Sequence, residues 1–172
     1  MSEIKERLAH VMERIETARE KSPYHQQVTL VAVTKFHPIK DMEEAISLGV
    51  THVGENRVQE MEEKYQELSL PVTWHLQGHL QKNKVKKAVA MADLIQSADS
   101  LSILQEIDKR AAEIDKVQDV LLEFNISGEE SKTGLSPDDM KMAIDEAKSL
   151  SHVRVIGLLC MAPNYEDMEM TS

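Results

Sequence analysis

Apolar residues recur at steps of four and three over residues 1–20, at Ile4, Leu8, Val11, Ile15 and Ala18. That spacing predicts an amphipathic helix, and Ser22-Pro23 predicts its end. Strand and helix patterns then alternate. Residues 30–33, inside the run from Thr29 to Lys35, hold four consecutive apolar side chains and read as a fully buried strand of a parallel sheet. Ile39, Met42 and Ile46 form a helical stripe, and Gly49 stands where a C-terminal cap would. Residues 51–54 predict a short second strand, after which Asn56 and Gln59 resemble an N-cap and its box partner. Residues 72–76 predict a third strand, 83–92 a helix and 94–97 a fourth strand. Leu101, Leu104, Ile107, Ala111 and Ile114 form the next stripe, preceded by a cap at Ser100. Residues 120–126 predict a fifth strand, Ser136-Pro137-Asp138-Asp139 a helix start, and 153–159 a sixth strand.

Strands separated by helices at intervals of roughly twenty to thirty residues specify a parallel α/β protein. An open doubly wound sheet usually carries a Gly-rich phosphate loop after its first strand. Here the first strand runs into Thr34-Lys35-Phe36. A TIM-type (β/α) barrel instead disperses its chemistry over many strand ends. The pattern therefore predicts such a barrel, preceded by an extra N-terminal helix, in a single domain over residues 1–172.

Composition narrows the partners. With 20 basic and 30 acidic residues the formal charge is -10, which disfavours a nucleic-acid backbone. The basic cluster Lys82, Lys84, Lys86 and Lys87 reads as a solvated helix face before it reads as an anion-attracting patch. Cys160 is the single cysteine, which excludes an intrachain disulfide and fits a reducing compartment; its apolar neighbours predict a packed core thiol. No apolar run reaches the length of a membrane span and no signal peptide is visible, so a cytoplasmic protein is expected.

Chemistry concentrates after the strands. Lys35 ends the first strand, at the end of a parallel sheet where ligands bind. A lysine there can lose its proton and attack a carbonyl, forming a Schiff base, and an apolar strand beside it would favour the neutral amine. Thr34, Asn56, Gly78, Asp99, Asn125 and Pro163 mark other strand ends. His75 and His79 have the spacing of helical metal ligands, but His75 falls in a strand and Gly78 interrupts, so a zinc pair is not expected. No phosphate-binding Walker loop, nucleophile elbow or Ser-His-Asp set is present to suggest another chemistry.

Val31-Ala-Val-Thr-Lys35, Gly54-Glu-Asn-Arg-Val-Gln-Glu60, Trp74-His75 with Gly78-x-Leu80-Gln81-x-Asn83-Lys84, Asn125-Ile-Ser with Ser131-Lys132-x-Gly134, and Gly157-Leu158 with Met161 occur in this order. Together they resemble the pyridoxal phosphate homeostasis proteins, over essentially the whole chain. Leu76-Gln77 departs from the family, which commonly has an aromatic and an aliphatic residue there. The resemblance implies a barrel related to the N-terminal domain of alanine racemase, with pyridoxal 5′-phosphate held as an aldimine on Lys35. It further implies Asn56 beside the cofactor ring, Met161 in the pocket wall and Lys132 near the cofactor. It implies a carrier that buffers the cofactor without turnover, delivers it to apoenzymes that use it, and is a monomer when full-length. The alternative is an amino-acid racemase or decarboxylase using the same cofactor. The family continues past Ser172 with the last two strands and their phosphate-binding loop, so the chain is expected to hold about six of the barrel's eight units.

Overall fold

The computed structural model describes residues 2–125 and 134–160. Helix α1 spans Glu3–Lys21, and the Ser2 hydroxyl caps it by accepting from the Lys5 amide. The alternation then runs β1 Ala32–Val33, α2 Ile39–Ser47, β2 His52–Glu55, α3 Val58–Glu67 and β3 Thr73–Leu76. A 3-10 turn, Lys82–Lys84, leads into α4 Val85–Met91, followed by β4 Leu94–Ala98, α5 Leu101–Ala112, β5 Gln118–Phe124, α6 Pro137–Ser149 and β6 Val153–Cys160. All six strands are parallel and lie in the order β1-β2-β3-β4-β5-β6. No strand is inserted out of sequence, so the reversal that defines a doubly wound sheet is absent among the described residues. Sequential parallel order is that of a (β/α) barrel wall, with β1 and β6 at the two edges of the described sheet.

Side-chain alternation divides the sheet into two faces. Val53, Leu76, Ile95, Val120 and Leu122 point to the helices and are fully buried, together with Met42, Met61, Val85, Ala88, Leu104 and Ile107 from the helical layer. That face is the core. The opposite face carries His52, Gly54, His75 and Gln96, and belongs to the barrel interior.

Three expectations are corrected. The first strand is only two residues long, and Val33 is 45% exposed, because β1 has a single neighbour and its inner face has no covering partner among the described residues. Asn56 is no helix cap: α3 begins at Val58 with Arg57 in the cap position and no side-chain cap bond. Cys160 is an exposed free thiol rather than a packed one, since it ends an edge strand. Ser136 does cap α6, accepting from the Asp139 amide at 3.1 Å, whereas Ser100 occupies the cap position of α5 without such a bond.

Helix α5 tests where the stability lies. Leu104→Ala should cost about 2–5 kcal/mol, since its side chain is fully buried between sheet and helices. Ile114→Ala, in the turn just past the helix at a position 52% exposed, should cost under about 1 kcal/mol. Urea denaturation of the two variants measures the difference, and equal costs would contradict this assignment of the core.

Candidate functional site

The strand-end residues meet at the C-terminal rim of the sheet. Ala32 pairs with Val53 and Val33 with Gly54, and the Thr34 amide donates to the Gly54 carbonyl at 2.9 Å. Lys35 follows two residues after β1 and Asn56 one residue after β2, the strand β1 pairs with, so both lie at the C-terminal end of this strand pair. Thr34 is buried, with its hydroxyl donating to Glu55 at 2.6 Å, and Lys35 opens the turn that follows, closed by the His37 amide donating to the Thr34 carbonyl at 3.1 Å. Lys35 is exposed, and the desolvation expected from its apolar strand is not supplied by the described residues. Among those residues its amine has no hydrogen bond or ion pair. Lys132 and Met161 lie outside the described residues.

Asn56 is held by the next loop. A Cβ on Gly78 would sit 2.1 Å from the Asn56 carbonyl oxygen, so only glycine lets the two backbones approach this closely. The Ser97 hydroxyl donates to the Gly78 carbonyl at 2.7 Å, which extends the tie to β4. Beside Asn56 opens a cleft of about 490 Å³ whose lining includes Arg57, His79 and Lys84. His79 is paired with Asp99 at 2.7 Å, and no group of three metal-ligating side chains occurs among the described residues.

Beneath the rim a hydrogen-bonded row crosses the interior face. Gln77 Nε2 donates to Gln96 Oε1 at 3.2 Å, and Gln96 Nε2 lies 2.8 Å from His75 Nδ1. His75 Nε2 lies 2.9 Å from His52 Nδ1. With the Gln96 amide donating, His75 accepts at Nδ1 and carries its proton on Nε2, which it donates to His52. The row is thus satisfied with a neutral His75. Burial, and secondarily the charge of His52, push the His75 pKa down to about 4.

A second network was not legible in the motifs. Lys64 Nζ donates to the Thr34 carbonyl at 2.7 Å, to Glu55 Oε1 at 2.7 Å and to Glu60 Oε1 at 2.9 Å. Glu60 Oε1 also accepts from the Phe36 amide at 2.6 Å. Glu55 and Glu60 both belong to the motif after β2, but Lys64 lies beyond it, and nothing local in the sequence marks its partners.

Comparison with known proteins places these features in a family. The family model for the alanine racemase N-terminal domain matches residues 7–172. A pyridoxal phosphate homeostasis protein of Aquifex aeolicus is 39% identical over 166 residues, covering 95% of this chain and 73% of the relative. The chain belongs to the pyridoxal phosphate homeostasis family. A homologue from Pseudomonas aeruginosa carrying the same name is 35% identical over 164 residues, covering 94% of this chain and 71% of that one. PipY of Synechococcus elongatus, solved with pyridoxal phosphate bound, superposes with a TM-score of 0.83 at 34% identity, covering 98% of this chain and 75% of PipY. Alanine racemase of Clostridium difficile superposes with a TM-score of 0.68 at 14% identity, covering 88% of this chain and 40% of the racemase, a likeness of fold alone.

The neutral His75 makes stability depend on pH. Its folded pKa is lowered, so between about pH 6.5 and pH 4 the unfolded chain binds more protons than the folded one. Stability should therefore fall as pH drops through that window, by about 1–3 kcal/mol for this group. His75→Gln should flatten that part of the curve. Urea midpoints over the same pH range measure it, and identical slopes in both proteins would contradict a neutral buried His75.

Proposed function

We propose that this chain binds pyridoxal 5′-phosphate reversibly through Lys35 and serves as a carrier of the cofactor rather than as an enzyme that uses it. The observation that carries the reading is a lysine amine without a partner among the described residues, two residues past the C-terminal end of β1, in a chain 34% identical to a homologue solved with that cofactor. When bound, the cofactor supplies an aldehyde that condenses with a primary amine with loss of water, and borohydride fixes the product as a secondary amine. In this reading Lys35 is the attachment point, Asn56 lies beside the ring, and Lys132 and Met161 complete the surroundings. The chain forms one barrel domain that acts in the cytoplasm, with apoenzymes that need the cofactor as recipients and a monomer as the full-length form. No described helix is long and apolar enough to cross a membrane.

Absence of turnover has its own support. Chemistry at an amino acid's Cα needs a positioned acid or base besides the attachment lysine. Glu55 and Glu60 are committed to Lys64, His75 is neutral within its row, and His79 is paired with Asp99. These carboxylates and imidazoles are engaged among the described residues.

Reduction of the protein–cofactor mixture with borohydride, followed by peptide mass spectrometry, should place the label on Lys35. Lys35→Ala should remove it. A label on another lysine would reassign the site. Incubation with the cofactor and L-alanine or L-lysine should give racemisation and decarboxylation at background rates. Sustained turnover that disappears in Lys35→Ala would replace the carrier with an enzyme.

A further inference from the structure

Both peptide groups that flank Lys35 are tied to one ammonium. The carbonyl of the Thr34–Lys35 peptide accepts directly from Lys64 Nζ at 2.7 Å. The N–H of the Lys35–Phe36 peptide donates to Glu60 Oε1 at 2.6 Å, and that oxygen accepts from Lys64 at 2.9 Å. The third Lys64 donor goes to Glu55 Oε1, which also takes the Thr34 hydroxyl. All three N–H bonds of the ammonium are used. A peptide is planar, so fixing the planes on either side of Lys35 fixes its φ and ψ and hence the direction of its Cα–Cβ bond. Phe36 adopts a φ of 65°, uncommon for a bulky residue, and the Arg57 guanidinium covers its ring at 5.8 Å.

This network is an expensive way to hold a core together. Glu55 is fully buried, and its second carboxylate oxygen has no partner among the described residues. Buried ion pairs of this kind add little to stability compared with well-packed apolar side chains of the same volume. What an apolar replacement would lose is the grip on the two peptides around Lys35.

We propose that Glu55, Lys64 and Glu60 are positioning residues, a clamp that fixes the backbone on both sides of Lys35 and so the direction in which its amine leaves the chain for attack on an aldehyde. The proposal rests on the reading of Lys35 as the attachment point. The clamp also separates two nearby primary amines. Burial alone would lower the Lys64 pKa, but the hydrogen bonds and charges of Glu55 and Glu60 outweigh it and hold it above the ordinary lysine value. Lys64 therefore stays protonated and engaged, whereas the Lys35 amine has no partner among the described residues.

Glu60→Ala in the full chain tests the clamp, with Glu60→Gln as the conservative control that keeps an oxygen for the Phe36 amide. Glu60 is partly buried but outside the apolar core, and in Glu60→Ala the Lys64 ammonium keeps Glu55 and the Thr34 carbonyl as partners, so the fold should persist. Two quantities are read: hydrogen exchange of the Phe36 amide without ligand, and the rate at which pyridoxal phosphate becomes borohydride-fixed on Lys35. In Glu60→Ala the Phe36 amide should exchange faster and capture should slow by about tenfold to a hundredfold, as expected for a misaimed nucleophile. Glu60→Gln should restore both. Capture at the unsubstituted rate in Glu60→Ala would overturn the clamp and leave Lys35 as the attachment point. No capture on Lys35 in the unsubstituted chain would sink the binding reading, and the clamp with it.

Discussion

Parallel pairing in strict chain order is the constraint on which the rest of the molecule depends. Once β2, β3 and β4 lie side by side in register, a period of two sends alternate side chains to opposite faces. One face must be closed by the helices that connect the strands. The fully buried Val53, Leu76, Ile95, Val120 and Leu122 meet that requirement, each contributing about 1.5–3 kcal/mol by leaving water. The other face is thereby released from the work of stability. Its occupants, His52, His75, Gln77 and Gln96, form hydrogen bonds worth about 1 kcal/mol each, too little to hold the fold but enough to fix side-chain orientation.

Glu55 is the exception that connects the two faces. Alternation places it with Val53 on the helix-facing side, where a carboxylate is the least suitable side chain. Lys64, arriving from α3, neutralises it at 2.7 Å. Removing one partner of such a buried pair costs about 3–5 kcal/mol, because the remaining charge is stranded. The pair is therefore stabilising only in the weak sense that neither member can be lost alone. Its reach to Thr34 and, through Glu60, to Phe36 carries information from the helix-facing side around to the exposed lysine between them.

The sequence made most of the fold legible because helices and strands here obey their own periods. The stripe expected from Leu101 to Ile114 became α5 as far as Ala112, leaving Ile114 exposed beyond the helix, and the Ser136 cap became the start of α6. Position within the sheet was not legible in the apolar runs themselves and followed only from the expectation of six barrel units in chain order. The apolar run before Lys35 and the one before Cys160 look like buried central strands, yet both became edges of the described sheet, and Val33, Leu158 and Cys160 are exposed as a result. Lys35 and Asn56 were visible as strand-end residues because spacing along the chain marks strand ends. The bonds from Lys64 to Thr34 and from Glu60 to Phe36 join residues thirty and twenty-four positions apart, and no local pattern encodes them. Asn56 was misread as a cap for the complementary reason. An Asn before an apolar run has the right chemistry for capping, but the helix begins one residue later than that reading requires.

Reversible holding of an aldehyde places two opposed demands on an amine. It must be well aimed, so that a small ligand can be captured at low concentration, and it must stay accessible to water, so that the link can hydrolyse and the ligand leave. Burying the lysine would favour its neutral form but obstruct release. Fixing only its backbone separates the two demands: the clamp restricts the Cα–Cβ direction while the remaining side chain stays in solvent. Preorganisation of this kind raises affinity by reducing the ordering cost of binding and does not require new contacts to the ligand. An exposed lysine on a rigid strand end is thus compatible with a carrier, and the groups that would convert the same strand end into a catalyst of Cα chemistry are, among the described residues, engaged with one another.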